Sequence, residues 1–210
     1  MKERPILFSA PMVRALLDGT KTQTRRIVAD FQQPKIDTSI DISPSMRWGA
    51  IAQNHRRWGF AVFGETEREC ADRLAESGCC RYGQQGDRLW VRESYADIGC
   101  RLTYRADEDD GAHCKVKKWT PSIHMFRADS RILLEIVSVR VERLNDCSDA
   151  DAVAEGIGLT PAAIGMKLTF PPGESMCVNL YRQLWESING VGSWDSNAWV
   201  WVIEFKRVMP

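Results

Sequence analysis

The run Gly19-Thr20-Lys21-Thr22-Gln23-Thr24-Arg25-Arg26 carries the most chemistry of any stretch in the chain. A threonine hydroxyl becomes a nucleophile when a neighbouring base takes its proton. A lysine can be that base if its pKa falls, which a desolvated pocket or nearby cations bring about. Arg25 and Arg26 are the cations at hand. The run is not a P-loop, because GxxxxGK[ST] needs a glycine directly before the lysine and Thr20 stands there. On one strand residues 22, 24 and 26 share a face, while 21 and 24 point oppositely. Lys21 and Thr24 therefore meet only if the chain bends at Lys21, and Gly19 makes the bend credible. The alternative reading of the run is a basic, polar strand edge.

Glu155, directly before Gly156, is the second candidate. A carboxylate at a helix C-terminus faces the negative end of the helix dipole, which raises its pKa, and burial raises it further. A glutamic acid tuned in this way donates a proton near neutral pH. The alternative is a solvated carboxylate at a helix end.

Short elements must position these groups. Residues 5–9 read as a strand and 11–18 as a helix, with Pro11 in its first turn and Gly19 as its stop. A strand with alternating character covers 22–28. Further strands are expected at 88–95, 102–105, 130–144 and 199–208, and helices at 65–77, 148–156 and 176–188. Ser148 and Asp151 form a capping-box pattern, and Val178, Tyr181, Leu184, Trp185 and Ile188 form one apolar face. The stretch 30–86 breaks periodicity and reads as an insertion with some hairpin or helix of its own. Within it, Met46-Arg47-Trp48 and His55-Arg56-Arg57-Trp58 interleave bases with aromatics. Such a pattern suits single-stranded nucleic acid, or else a hairpin whose tryptophans pack on the core. Lys115, Lys117, Lys118 and Trp119 repeat the pattern.

The chain has 210 residues, with 28 Lys+Arg against 28 Asp+Glu. At ~100–200 residues per domain, that is one decorated domain or two small ones. Zero net charge removes an overall basic footprint, although acidic residues gather in 142–174 and leave the N-terminal run locally basic. The N-terminus lacks an apolar run of signal-peptide length, and no stretch approaches the ~18 apolar residues that span a bilayer. The expected location is the cytoplasm. Seven cysteines with no CxxC fit free thiols there. Three histidines without a tight pair give no metal site.

GTKTQTRR (19–26), GDRLWVRES (86–94), WTPSIHMFRADSRILLEIVSVRVERL (119–144), AVAEGI (152–157) and WVWVIEFKRV (199–208) together resemble the ASCH domain of the PUA-like superfamily. The likeness is to the longer form common in phages and prophages. It implies a mostly β fold with short helices, a PUA-like barrel capped by helices. It also implies one domain over 1–210 with an insertion at about 30–85. In the family's small amidohydrolase, which removes acetyl from N(4)-acetylcytidine, a Lys accepts a proton, a Thr attacks and a Glu donates. Those roles fall here on Lys21, Thr24 and Glu155. The expected activity is hydrolysis of an acylated pyrimidine nucleoside or base, without metal or cofactor. Arg25, Arg26, Arg92, Glu93, His124 and Arg127 are the expected substrate contacts. The alternative is an RNA or single-stranded nucleic-acid binding module, or a ribonuclease, gripping phosphate with the 19–26 run. The chain departs from the family where phage relatives often run Pro-Arg-Trp after IHM, since Phe126-Arg127-Ala128 stands there.

Overall fold

The computed structural model of the chain describes residues 1–36, 46–53, 60–108, 110–158 and 175–208. Its main sheet has five strands in the order β1 (Glu3–Leu7), β6 (Arg88–Arg92), β9 (Leu133–Arg143), β10 (Trp199–Val208) and β2 (Gln23–Ile27). β1 runs parallel to β6, and the other neighbours are antiparallel. Pro5 lies in β1, a sheet edge, where its missing N–H costs no ladder bond.

The fold is mixed α/β, with more helix than a mostly β fold carries. Among the described residues no ladder joins β1 to β2, so the main sheet is open. It nevertheless curls. The Arg26 guanidinium in β2 donates to the Leu7 carbonyl in β1 at 2.8 Å and lies 5.4 Å from the Phe8 ring. A side chain thus spans the gap that strand pairing would close in a barrel.

Local signals place the helices well. After α1 (Ala10–Leu17), Gly19 has φ +74°, the left-handed conformation glycine favours. Its N–H donates to the Leu16 carbonyl, while Thr20 and Lys21 both donate to the Ala15 carbonyl. This Schellman closure turns the chain sharply into the next segment. α2 (Glu67–Glu76) starts on Thr66, whose hydroxyl accepts from the Glu69 N–H. α3 (Asp149–Ala154) carries the full Ser148/Asp151 capping box. α4 (Met176–Asn189) buries Tyr181 and Trp185, but Ile188 is exposed.

The expected strand at 88–95 divides. After β6 the Glu93 N–H turns to the Met125 sulfur, and Tyr95–Asp97 (β7) pairs with Leu102–Tyr104 (β8) in a separate ribbon. The alternation expected for β10 is also not a buried/exposed one, since both of its faces are covered. Trp201, Ile203 and Phe205 join Ile6, Leu89 and Ile136 on one side. Val200 and Val202 join Leu144, Ala152, Tyr181 and Trp185 on the other.

The 30–85 segment builds a small sheet, β3 (Lys35–Ile36), β4 (Trp48–Ile51) and β5 (Ala61–Gly64), followed by α2. Cys70, Ala71 and Leu74 of α2 enter the same buried cluster as Ile6 and Trp201, and Trp48 packs against it. The His55–Trp58 pattern lies outside the described residues. No helix among the described residues is long and apolar enough to cross a membrane.

All seven cysteines are free. Burial pushes the Cys70 and Cys80 thiols up to about 11 and Cys147 up to about 12. Unfolding releases each to its ordinary pKa, so between about pH 9 and 11 the unfolded chain holds fewer protons and stability falls as pH rises. Each thiol contributes about 1.4 kcal/mol per pH unit in that window. Lys21, lowered from 10.5, acts in the opposite direction, but it is a single group against these thiols and the raised Cys79 and Tyr181. Chemical denaturation from pH 8 to 11 should therefore show a steady loss of stability, and a flat profile would contradict this burial.

Candidate active site

Lys21, Thr24, Arg25, Arg26 and Glu155 come together at the free edge of β2. The Schellman turn delivers Lys21 to the end of α3. There Lys21 and Glu155 form an isolated bridge, and the Thr22 N–H donates to the Ala154 carbonyl at 2.8 Å. Gly156 makes this approach possible. It has φ +88°, and a Cβ on it would lie 3.0 Å from the Ala15 Cβ and 3.1 Å from the Lys21 Cβ. Gly156→Ala should cost about 1–3 kcal/mol from backbone strain, with further loss from the contacts. It should also shift Lys21 away from Glu155. A melting curve equal to wild type would show that the approach is not needed.

The Lys21 side chain is fully buried, and its three N–H groups are all used. Nζ donates to the Gln23 carbonyl, the Glu155 carbonyl and Glu155 Oε2, each at 2.8 Å. Reaching the Gln23 carbonyl requires the bend that the spacing of 21 and 24 demanded. Burial lowers the Lys21 pKa, and the Glu155 carboxylate opposes that fall. The Glu155 carboxylate also accepts from the Tyr181 hydroxyl at 3.3 Å and faces Arg25 Nη1 at 3.6 Å. Tyr181 is held neutral, because burial first and then Glu155 push its pKa well up.

A charged layer lies beneath, between the sheet and α3. Arg25 Nη2 is 2.6 Å from Glu142 and 3.4 Å from Asp151. Arg140 reaches Glu142, Asp151, Gln23 and Glu204. Gln23 donates to Asp151 at 3.1 Å. Burial pushes the Asp151 carboxyl up, but hydrogen bonds from Ser148 and the Arg25 charge prevail and bring it to about 2. The cap residue of α3 thus doubles as its anchor on β2 and β9. Arg140, Glu142, Gln23 and Tyr181 are site residues that sequence reasoning missed. Arg140 and Glu142 alternate along one strand, which hinted at a shared face, but the register that sets them beside β2 is tertiary.

Two openings meet at Glu155. A small cavity of about 60 Å³ is walled by Thr24, Arg25, Arg26, Glu155, Tyr181 and Trp185 among others. Thr24 is buried and its hydroxyl has no hydrogen bond among the described residues. A groove of about 520 Å³ runs past Ser9, Met12, Thr20, Glu155 and Gly156. Its size falls in the ~300–1,000 Å³ range of small-molecule sites. Met12, Glu155 and Leu184 belong to both walls.

The other expected contacts stand elsewhere. Arg92 lies over Trp90 and donates to the Ile123 carbonyl. Glu93 is buried and bound by Arg131, which also clamps Asp107. Arg127 pairs with Glu3 at 2.7 Å. His124 ends an exposed 3₁₀ turn, Ser122–His124. None of the four walls either opening. The side chains of Arg92, Glu93 and Arg127 serve contacts that tie loops to β1 and β6.

No family model, curated protein or solved structure matches the chain.

Proposed function

We propose that the chain is an amidohydrolase that removes an acyl group from a modified pyrimidine nucleoside or base in the cytoplasm, on a PUA-like, ASCH-type sheet that curls toward a barrel. The observation that carries this reading is the position of Glu155. It is bonded to Lys21, shares a small cavity with Thr24, and also walls a groove of nucleoside size. A proton donor for a leaving amine belongs between the acyl carbon and the leaving group, and a Glu155 that borders both openings supports that role.

The proton count follows from the three Lys21 hydrogen bonds. An ammonium whose donors are all engaged accepts nothing. Transfer of one proton along the 2.8 Å contact to Glu155 Oε2 gives a neutral amine and a carboxylic acid. The desolvation that lowers the Lys21 pKa favours this neutral form. The amine then takes the Thr24 proton as Thr24 Oγ bonds to the acyl carbon. The carbonyl π pair moves to oxygen and returns as the C–N bond breaks, and Glu155 protonates the departing nitrogen. Lys21 is now an ammonium, Glu155 a carboxylate and Thr24 an ester. Water attacks the ester and gives a proton to Glu155, Lys21 returns one to Thr24 Oγ, and the neutral pair is restored.

Hydrolysis of N(4)-acetylcytidine and related nucleoside amides tests the reading, and absence of product across such a panel would sink it. The reactive pair holds one proton, so turnover should fall as pH rises through the lowered Lys21 pKa and that proton is lost. In Glu155→Gln the lysine alone must be neutral, so turnover should instead rise with pH, and the rate should drop about 100-fold or more for want of an acid.

Two cations of the 19–26 run that the nucleic-acid reading relies on are buried. Lys21 and Arg25 are interior, and Arg26 is committed to Leu7. A phosphate track needs such groups on the surface.

A further inference from the structure

β2 is an edge strand, and which of its main-chain groups face outward can be read from its register. The Phe205 N–H donates to the Thr22 carbonyl and the Val28 N–H to the Trp199 carbonyl, both at 2.9 Å. The pairing between is regular, with Thr24 opposite Ile203. In an antiparallel ladder the bonded pairs alternate. Thr24 and Arg26 therefore turn their N–H and C=O groups toward β10, while Gln23, Arg25 and Ile27 turn theirs to the free edge. Lys21 reports the same phase, since its ammonium reaches the Gln23 carbonyl from outside the sheet.

The outward N–H of Arg25 thus opens beside the small cavity that both Thr24 and Arg25 wall. No partner for this N–H is found among the described residues. Two further donors around the cavity have none either. The Arg25 side chain is fully buried; its Nε has no hydrogen bond, and its Nη1 faces the Glu155 carboxylate at 3.6 Å without bonding it. Trp185 is buried, and its indole N–H is unpartnered. Buried donors are nearly always satisfied, so several around one cavity mark a place where a ligand oxygen belongs.

We infer that this edge is the oxyanion site: the main-chain N–H of Arg25, aided by its guanidinium and by the Trp185 indole N–H, binds the acyl oxygen of the substrate. The catalytic part of this inference rests on the amidohydrolase reading, while the binding part does not. The N–H of the residue after a nucleophile is well placed for the role, because the attacked carbon bonds to the nucleophile and its oxygen lies within reach of the next peptide. The donors are fixed by the strand and the interior before substrate arrives, so little reorganisation accompanies the charge. The cavity, about 60 Å³, limits the acyl group to a short one such as acetyl.

The test has two arms. In the first, acetamide is titrated into ¹⁵N-labelled protein. The Arg25 amide and Trp185 indole resonances should shift saturably, and in Trp185→Phe, which has no indole resonance, the Arg25 shift should remain. In the second, turnover on N(4)-acetylcytidine is compared between wild type and Trp185→Phe, which keeps an aromatic ring and drops the N–H. The expected result is kcat lower by about 10- to 100-fold with KM within about twofold, somewhat less than loss of a principal oxyanion donor. Arg25→Lys, which keeps the buried charge, should lower kcat as well. Unmoved resonances at both sites, or unchanged kcat in Trp185→Phe, would overturn the inference. Saturable shifts without any hydrolysis would uphold the binding site and remove the enzyme reading.

Discussion

Lys21→Met should unfold the chain more easily by about 3–5 kcal/mol and abolish turnover. The substitution keeps most of the side-chain volume but leaves the buried Glu155 carboxylate without its nearest cation. Removing one partner of a buried ion pair costs that much because the remaining charge is stranded away from water. Tyr181 and Arg25 still face the carboxylate, but at 3.3 and 3.6 Å they replace only part of what is lost. For a chain of this length the melting temperature should fall by roughly 10 °C. The double variant Lys21→Met/Glu155→Leu should recover much of the stability, since apolar replacement of a whole buried pair is often neutral. It should recover no activity. Recovery of stability without turnover separates the pair's role in folding from its role in proton transfer. Wild-type turnover in Lys21→Met would remove the lysine from the mechanism.

The local elements were largely legible in the chain. The helix stop at Gly19, the Ser148/Asp151 box and the final strand follow from residue types alone, because caps and turns depend on a few neighbours. That Lys21 meets Glu155, and that Thr24 walls a cavity Glu155 also lines, is in keeping with the bend at Lys21 and the resemblance to a known motif. What depended on strand register was not. Gln23, Arg140, Glu142 and Asp151 share one face only because β9, β10 and β2 align as they do. Glu93 looked available for substrate, but Arg131, 38 positions away in sequence, occupies both of its carboxylate oxygens. That the sheet stays open was unreadable for the same reason, since its two edges are linked by the Arg26 side chain and Leu7 and not by strand pairing.

Thr24→Ala should leave the fold nearly intact and remove the activity. The side chain is buried, so loss of its methyl and hydroxyl should cost about 1 kcal/mol. Its hydroxyl holds no hydrogen bond among the described residues whose loss would strand a partner. The neighbouring Lys21–Glu155 pair and the Arg25–Glu142 contact do not involve it. A nucleophile without a substitute on the chain leaves only the binding and electrostatic contributions, so turnover should fall by at least about 1,000-fold. This combination of intact melting and lost chemistry is what distinguishes a reacting hydroxyl from a packing one. The decisive measurement is cytidine release from N(4)-acetylcytidine by wild type beside Thr24→Ala, at equal folded concentration. Release by wild type and none by the variant is the predicted result, and equal release by both, or by neither, would contradict the account.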